Sequence, residues 1–237
     1  MEARDQLPTS ISTRTTCRQA HNIGFNNWVA IKKPFLSDSH LEQRLQFSKD
    51  HASCMLDNWR AVLWTDESSF EISKTSQQAK VWQGTQTKYE PKNLAPTFKS
   101  GRTLTMVWGS FFSNKKGPLI VVPPGQREVT KFIENVYKKA LFPYLQSTNP
   151  LHQLSLMEDN APVHTAKASG AFLAANSIKK LIWPAQSPDL NPIKNVWFLL
   201  KSNIQELYQP QTVPEMHKAL TQAWEDFPDS TLDHLVQ

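Results

Sequence analysis

Four consecutive apolar residues, Ala61, Val62, Leu63 and Trp64, run straight into Thr65 and Asp66. A strand without polar alternation has no face for water, so it has to be covered on both sides. That requirement already asks for helices above and below a sheet. Further along, "LSLMEDNAPVHTA" repeats the form, with a short apolar strand ending at Asp159 and an alanine-rich helix after it. The stretches "KVWQG", "LTMVWGSFF" and "GPLIVVPPG" are β-like, and "IKKLIWP" reads as another short strand. "TKFIENVYKKALFPYL" has helical spacing through Phe132, Ile133, Val136, Tyr137, Ala140, Leu141 and Tyr144. A last helix is expected from Val213 to Phe227. Strands first, then strand and helix in alternation, predict an α/β fold with helices packed on the faces of a central sheet.

The N-terminal part differs. Residues 1–34 are polar, and "TSISTRTTCRQA" predicts one short helix capped by Ser or Thr, too little for a core of its own. This segment is expected to be a leader or a fragment of a small helical domain, with residues 35–237 forming the main body. A helix is expected within "LSDSHLEQRLQFSKDHASCML", where Ser39 and Glu42 have capping-box spacing and Leu41, Leu45 and Phe47 supply apolar contacts. With 237 residues, 39% of them hydrophobic, the chain suits one sizeable domain plus a short extra piece. The net charge of +5 is compatible with a phosphate-rich partner without requiring one. Cys17 and Cys54 are too few for a disulfide scaffold or a cysteine-built zinc site. No apolar run approaches the ~20 residues that cross a bilayer, and "MEARDQLPTS" lacks the apolar core of a secretory signal. A soluble, intracellular protein is the expectation.

If the strands carrying Asp66 and Asp159 are parallel neighbours, both carboxylates emerge at one rim of the sheet, where open α/β folds place ligands. Carboxylates gathered there repel unless a cation lies between them, and hard oxygen donors suit Mg²⁺ or Mn²⁺. The plainer reading makes one an exposed loop acid and the other a helix cap. Other residues have plain readings too: His164 as a helix-start or rim residue, Trp108 and Trp183 as packing, and "NKKG" at 114–117 as a solvated hairpin turn.

"LNPIKNVWFLLK" opens a helix with good signals, Asn191 as cap and Pro192 at the first position. Lys194 then falls at the third position, which favours an acid against the positive end of the helix dipole. A lysine there is electrostatically backwards.

The words "WTDESSF", "MVWG", "EDNAPVHTA" and "WPAQSPDLNPI", in this order, resemble the catalytic domain of mariner-superfamily transposases, in the Tc-like branch with fungal-type sequences. The resemblance covers residues from about 35 to 230. It implies a ribonuclease-H-like fold, a mixed central sheet flanked by helices, with three acidic residues holding two divalent metals, Mg²⁺ or Mn²⁺. Carried over by position, the first acid is Asp66 and the second Asp159. The third is expected after "NPI", thirty-four residues beyond Asp159, and Lys194 holds that place. A two-metal site needs anionic ligands, so the resemblance implies impaired chemistry, with Asp66 and Asp159 still binding one ion weakly.

It also implies DNA as partner, a homodimer as in relatives, a nuclear location, and no membrane or small-molecule cofactor. Lys32 and Lys33 follow the family's linker pattern and are expected on the DNA backbone. Family members carry two helix-turn-helix units, of which residues 1–34 resemble the last helix of the second, so this end is read as a truncated remnant. Two alternatives stay open: a non-catalytic DNA-binding or dimerising protein, and a metal-dependent nuclease in which Asp189 supplies the third ligand.

Overall fold

The computed structural model of the protein describes residues 12–23, 36–72, 103–123, 128–148 and 153–236. The chain separates into two compact units, Met1–Phe35 and Leu36–Gln237. In the first, helix α1 spans Thr13–Asn22, and the Ser12 hydroxyl caps it by accepting the Thr15 N–H. This is the short, Ser-capped helix the sequence predicts. Lys32 and Lys33, and the expected strand "KVWQG", lie outside the described residues.

The second unit begins with α2 (Asp38–Asp50) and α3 (Leu56–Arg60), then strands β1 (Val62–Ile72), β2 (Thr103–Phe112) and β3 (Lys115–Val122). A continuous helical segment follows, α4 (Val129–Phe132), a π-helical stretch (Ile133–Leu141) and α5 (Phe142–Thr148). Next come β4 (Ser155–Met157), α6 (Pro162–Thr165), α7 (Lys167–Ala175) and β5 (Lys179–Lys180). After a 3₁₀ turn at Pro188–Leu190 the chain forms α8 (Ile193–Asn203), a π-helical turn (Ile204–Tyr208), α9 (Val213–Glu225) and α10 (Asp229–Val236).

The sheet has five strands in the order β3-β2-β1-β4-β5. β1 pairs antiparallel with β2 and parallel with β4, so the sheet is mixed. Successive residues of a strand point to opposite faces, and β1 obeys this. Val62, Trp64, Phe70 and Ile72 enter a core with Trp197, Leu200, Leu220 and Trp224 of α8 and α9. Leu63 enters the opposite core with Val136, Tyr137, Leu141 and Leu173. The unbroken apolar run at the start of β1 is thus explained by helices on both faces.

Several expectations need correction. The cap of α2 is Ser37, whose hydroxyl accepts the His40 N–H while the His40 ring accepts the Ser37 N–H, so an imidazole does the work expected of Glu42. Leu41 and Leu45 are exposed, and only Phe47 of the expected trio packs on the core. The final helix stops at Glu225, and the sequence reading missed α10. Lys116 is no solvated turn residue: its ammonium donates to the carbonyls of Glu225 (2.6 Å) and Phe227 (2.8 Å), closing the C-terminal end of α9. Trp108 and Trp183 are buried packing residues, as read. Among the described residues no helix is long and apolar enough to cross a membrane.

Candidate active site

β1 and β4 are parallel neighbours, with Trp64 level with Met157. Continuing that register by two residues places Asp66 level with Asp159, at the rim where β4 has ended. Asp66 does not end its strand as expected: β1 continues to Ile72 on β2, opposite which Asp66 faces Gly109. The strand outruns its parallel partner, so the rim is formed by the end of β4 alone.

Two asparagines from the sequence words fasten this rim. Asn191, buried, donates to the Thr65 carbonyl at 3.3 Å, and Asn160 donates to the Trp183 carbonyl at 2.9 Å. The Thr65 hydroxyl donates to the Met157 carbonyl at 2.6 Å, tying β1 to β4 beside the carboxylates. These ties bring the start of α8 against β1. The first residue of α8 is Ile193 with Pro192 as its cap, so Lys194 sits second rather than third. The shift arises because the 3₁₀ turn leaves Asn191 extended, though its side chain still accepts the Ile193 N–H at 3.4 Å.

The backwards lysine has a partner. The Lys194 ammonium donates to both carboxylate oxygens of Asp66, each at 2.7 Å. The Trp197 indole, one turn on, donates to Asp66 Oδ2 at 2.8 Å. The Asp66 side chain is 5% exposed against 41% for Lys194, so a buried carboxylate meets a half-exposed cation. Burial outweighs the opposing pull of Lys194 and the Trp197 N–H and leaves the Asp66 carboxyl raised to about 6. Whatever the dipole of α8 loses by hosting a cation, the ion pair offsets.

Asp159 is half-exposed and accepts the Ala161 N–H at 2.9 Å, turning the chain into α6. Adjacent Glu158 points the other way, into the opposite core. There Tyr137 donates to Glu158 Oε1 at 2.7 Å, Lys180 lies 3.1 Å from Oε2, and His164 Nδ1 lies 3.3 Å from Oε1. His164 Nε2 is 3.5 Å from Glu67 and 3.6 Å from Asp159. The 3.3 Å approach is a charge contact without hydrogen-bond alignment, since His164 Nδ1 is buried with no hydrogen-bond partner. Burial opposes a charged imidazole, yet Glu158 and Glu67 outweigh it and hold His164 up at about 10. Burial likewise opposes the Glu158 carboxylate, and His164, Lys180 and Tyr137 together bring it below its ordinary range. His164 is therefore a buried cation among three carboxylates. The sequence reading missed this cluster, although "EDNAPVH" contains most of it.

Asp189 accepts from Arg44 of α2 at both oxygens, at 2.8 and 2.7 Å. Among the described residues no three His, Cys, Asp or Glu side chains gather to hold a metal ion. Asp66 and Asp159 share a rim, and Lys194 is joined to Asp66 where a third acid was expected.

Gly109 is the close neighbour of this arrangement. A Cβ there would lie 2.5 Å from Trp197 Cη2 and 3.0 Å from Leu119 Cδ1. Gly109→Ala is expected to displace the indole from Asp66 and destabilise the fold by about 1–3 kcal/mol. A lower urea midpoint together with altered tryptophan fluorescence checks this.

A family model described as DDE superfamily endonuclease matches residues 61–217, and a transposase helix-turn-helix model matches residues 2–53. The latter match runs past residue 34 into α2. The chain is 30% identical to the Tc1 transposase of Caenorhabditis elegans over 95% of its own length and 81% of that protein. It is 29% identical to the Tc3 transposase of the same organism over 100% of this chain and 70% of that one. Among solved structures, a Mos1 mariner paired-end complex with Mn superposes with a TM-score of 0.73 at 19% identity, covering 95% of this chain and 67% of that one. The Mos1 mariner catalytic domain superposes with a TM-score of 0.60 at 17% identity, covering 88% and 91%. The mixed sheet and its helices are thus ribonuclease-H-like. By these matches and by the rim that carries Asp66 and Asp159, the chain belongs to the Tc/mariner superfamily of DDE transposases.

Proposed function

We propose that this Tc/mariner-type protein contacts DNA but has lost two-metal phosphodiester chemistry. The observation that carries the reading is the ion pair of Lys194 with both oxygens of Asp66. Metal chemistry at such a site needs carboxylate oxygens free to coordinate and anions around the ions. Here one carboxylate is spent on an ammonium and an indole, and the position expected to bring another acid brings a cation. The residues present do not fit a pair of divalent ions. A single Mg²⁺ or Mn²⁺ on Asp66 and Asp159 has to displace Lys194 first, against the ion pair and its own repulsion.

DNA as partner is supported by the basic balance of the chain and by the likeness to Mos1, solved as a paired-end complex with a transposon end. In this reading residues 1–34 belong to the helix-turn-helix portion and 35–237 to the catalytic-type domain. Lys32 and Lys33 lie on the DNA backbone, a homodimer is the assembled form, and the nucleus is the place of action. The Asp189 alternative is weakened by Arg44, which already takes both of its oxygens.

Supercoiled plasmid incubated with the unmodified protein and manganese tests the reading. Gel shifts that persist in a chelator, with no nicking above background, are expected. Metal-dependent nicking by the unmodified protein sinks the proposal, and nicking abolished by Asp189→Ala would favour the nuclease alternative.

A further inference from the structure

The outer side of α8 holds a second consequence of the substitution. Lys194, Phe198 and Lys201 stand at i, i+4 and i+7, one stripe along the helix. Phe198 is 73% exposed, whereas Trp197 and Leu200 beside it are buried. A lone exposed aromatic is ordinary. This one lies between two cations at the mouth of the carboxylate rim, and core packing does not explain it.

The charge balance at this mouth is inverted from what an acid would give. Lys194 and Lys201 together outweigh Asp66 on this side of the rim, while Asp159 lies across it beside His164, a cation shared with Glu67 and Glu158. The two lysines feel one another: burial and then the nearby Lys194 lower the affinity of Lys201 for its proton. Lys201 is held over the Phe70 ring at 5.4 Å, which fixes its ammonium beside the helix. Lys194 has three N–H donors, of which Asp66 takes those directed at its two oxygens. One remains for an incoming acceptor. With glutamate at 194 the group Asp66, Glu and Lys201 would be net negative and attract a cation. With lysine it is net positive and attracts an anion.

We propose that the Lys194–Phe198–Lys201 stripe is a metal-independent binding site for single-stranded nucleic acid. Phosphates meet the two ammoniums, whose residues are ~10.5 Å apart along the helix axis at ~1.5 Å per residue, and an unstacked base lies on the Phe198 ring. Stacking on an exposed aromatic requires a base whose face is free, which a duplex does not offer. The inference rests on the reading of a DNA-contacting protein with silenced chemistry, and adds the strand form and the contact residues.

Fluorescence anisotropy with a labelled single-stranded oligonucleotide and its duplex, over a salt series in chelator, tests it. Phe198→Ala is expected to weaken single-strand binding roughly ten-fold and duplex binding by no more than about two-fold. Lys201→Ala is expected to reduce the slope of log affinity against log salt by about 0.7 on the single strand. Both positions face solvent, and circular dichroism confirms that the variants fold. Unchanged single-strand affinity in Phe198→Ala overturns the stripe, as does binding that appears only with Mg²⁺ or no binding at all. The first of these results leaves the reading of a DNA-contacting protein with silenced chemistry standing; that reading fails separately if the unmodified protein nicks DNA in manganese or binds neither strand form in chelator.

Discussion

Lys194→Glu is expected to turn a protein whose folding ignores manganese into one that manganese stabilises, and to raise manganese-dependent nicking by about three orders of magnitude. The substitution reverses a unit charge beside Asp66. One unit charge against another at ~4 Å and an effective dielectric of ~20 is worth ~4 kcal/mol, and the reversal spans two units. Without metal the variant therefore loses an attraction and gains a repulsion. Asp66, already pushed up to about 6 by burial, is pushed higher, and the two carboxylates share a proton. A divalent ion relieves both penalties. At a metal concentration of about a hundred times Kd, the gain is roughly 2.7 kcal/mol, read as a rise in Tm that the unmodified protein lacks. Three orders of magnitude in rate correspond to about 4 kcal/mol, within what the charge reversal supplies. Lys194→Gln is the control, because it removes the ammonium and adds no carboxylate. Equal gains in Lys194→Gln, or strong nicking by the unmodified protein, would show that position 194 is not the cause.

The sequence carried the sheet better than it carried the chemistry around it. The non-alternating run before Asp66 required cover on both faces, and α8 with α9 on one side and the α4–α5 segment on the other provide it. Periodicity located the long helical segment, because Phe132, Ile133, Val136, Tyr137, Ala140 and Leu141 all point inward. Caps were less legible. His40 plays a part that the sequence reading assigned to Glu42, since an imidazole nitrogen accepts a backbone N–H as a carboxylate does. The oddity of Lys194 was visible from helix-dipole reasoning alone. Its partner was not, because Asp66 lies 128 residues away in the chain and the contact depends on Asn191 docking against Thr65. Adjacent residues of an extended chain point to opposite faces, so Glu67 and Glu158 leave the face that carries Asp66. That they converge on one buried histidine was missed, because only the packing of α6 brings His164 between them.

His164→Ala is expected to cost about 3–5 kcal/mol, the range found when one partner of a buried charge pair is removed. Glu158 is 1% exposed and stays in place when the imidazole is gone, left with Lys180 and the Tyr137 hydroxyl. The edge-on contact of His164 with the Phe132 ring, 5.2 Å between centroids, is lost as well. Glu158→Gln should cost less, since His164 keeps Glu67 and Asp159 as counter-charges. The pH dependence separates charge from packing. His164 is raised from 6.5 to about 10, so its contribution is complete below 6.5 and is lost as pH rises through 10. Glu158 is lowered, so its contribution is present above 4.5 and is lost as pH falls through its folded value. Asp66 has the opposite slope to Glu158: raised from 3.8 to about 6, it favours the fold below 3.8 and loses that contribution as pH rises through 6. The alkaline limb of the stability curve therefore reports mainly on His164. Urea unfolding of the unmodified protein should show stability declining steadily from pH 6.5 towards 10, and His164→Ala should flatten that limb. If the variant loses several kcal/mol while the alkaline slope stays as steep, His164 acts through its volume and not its charge.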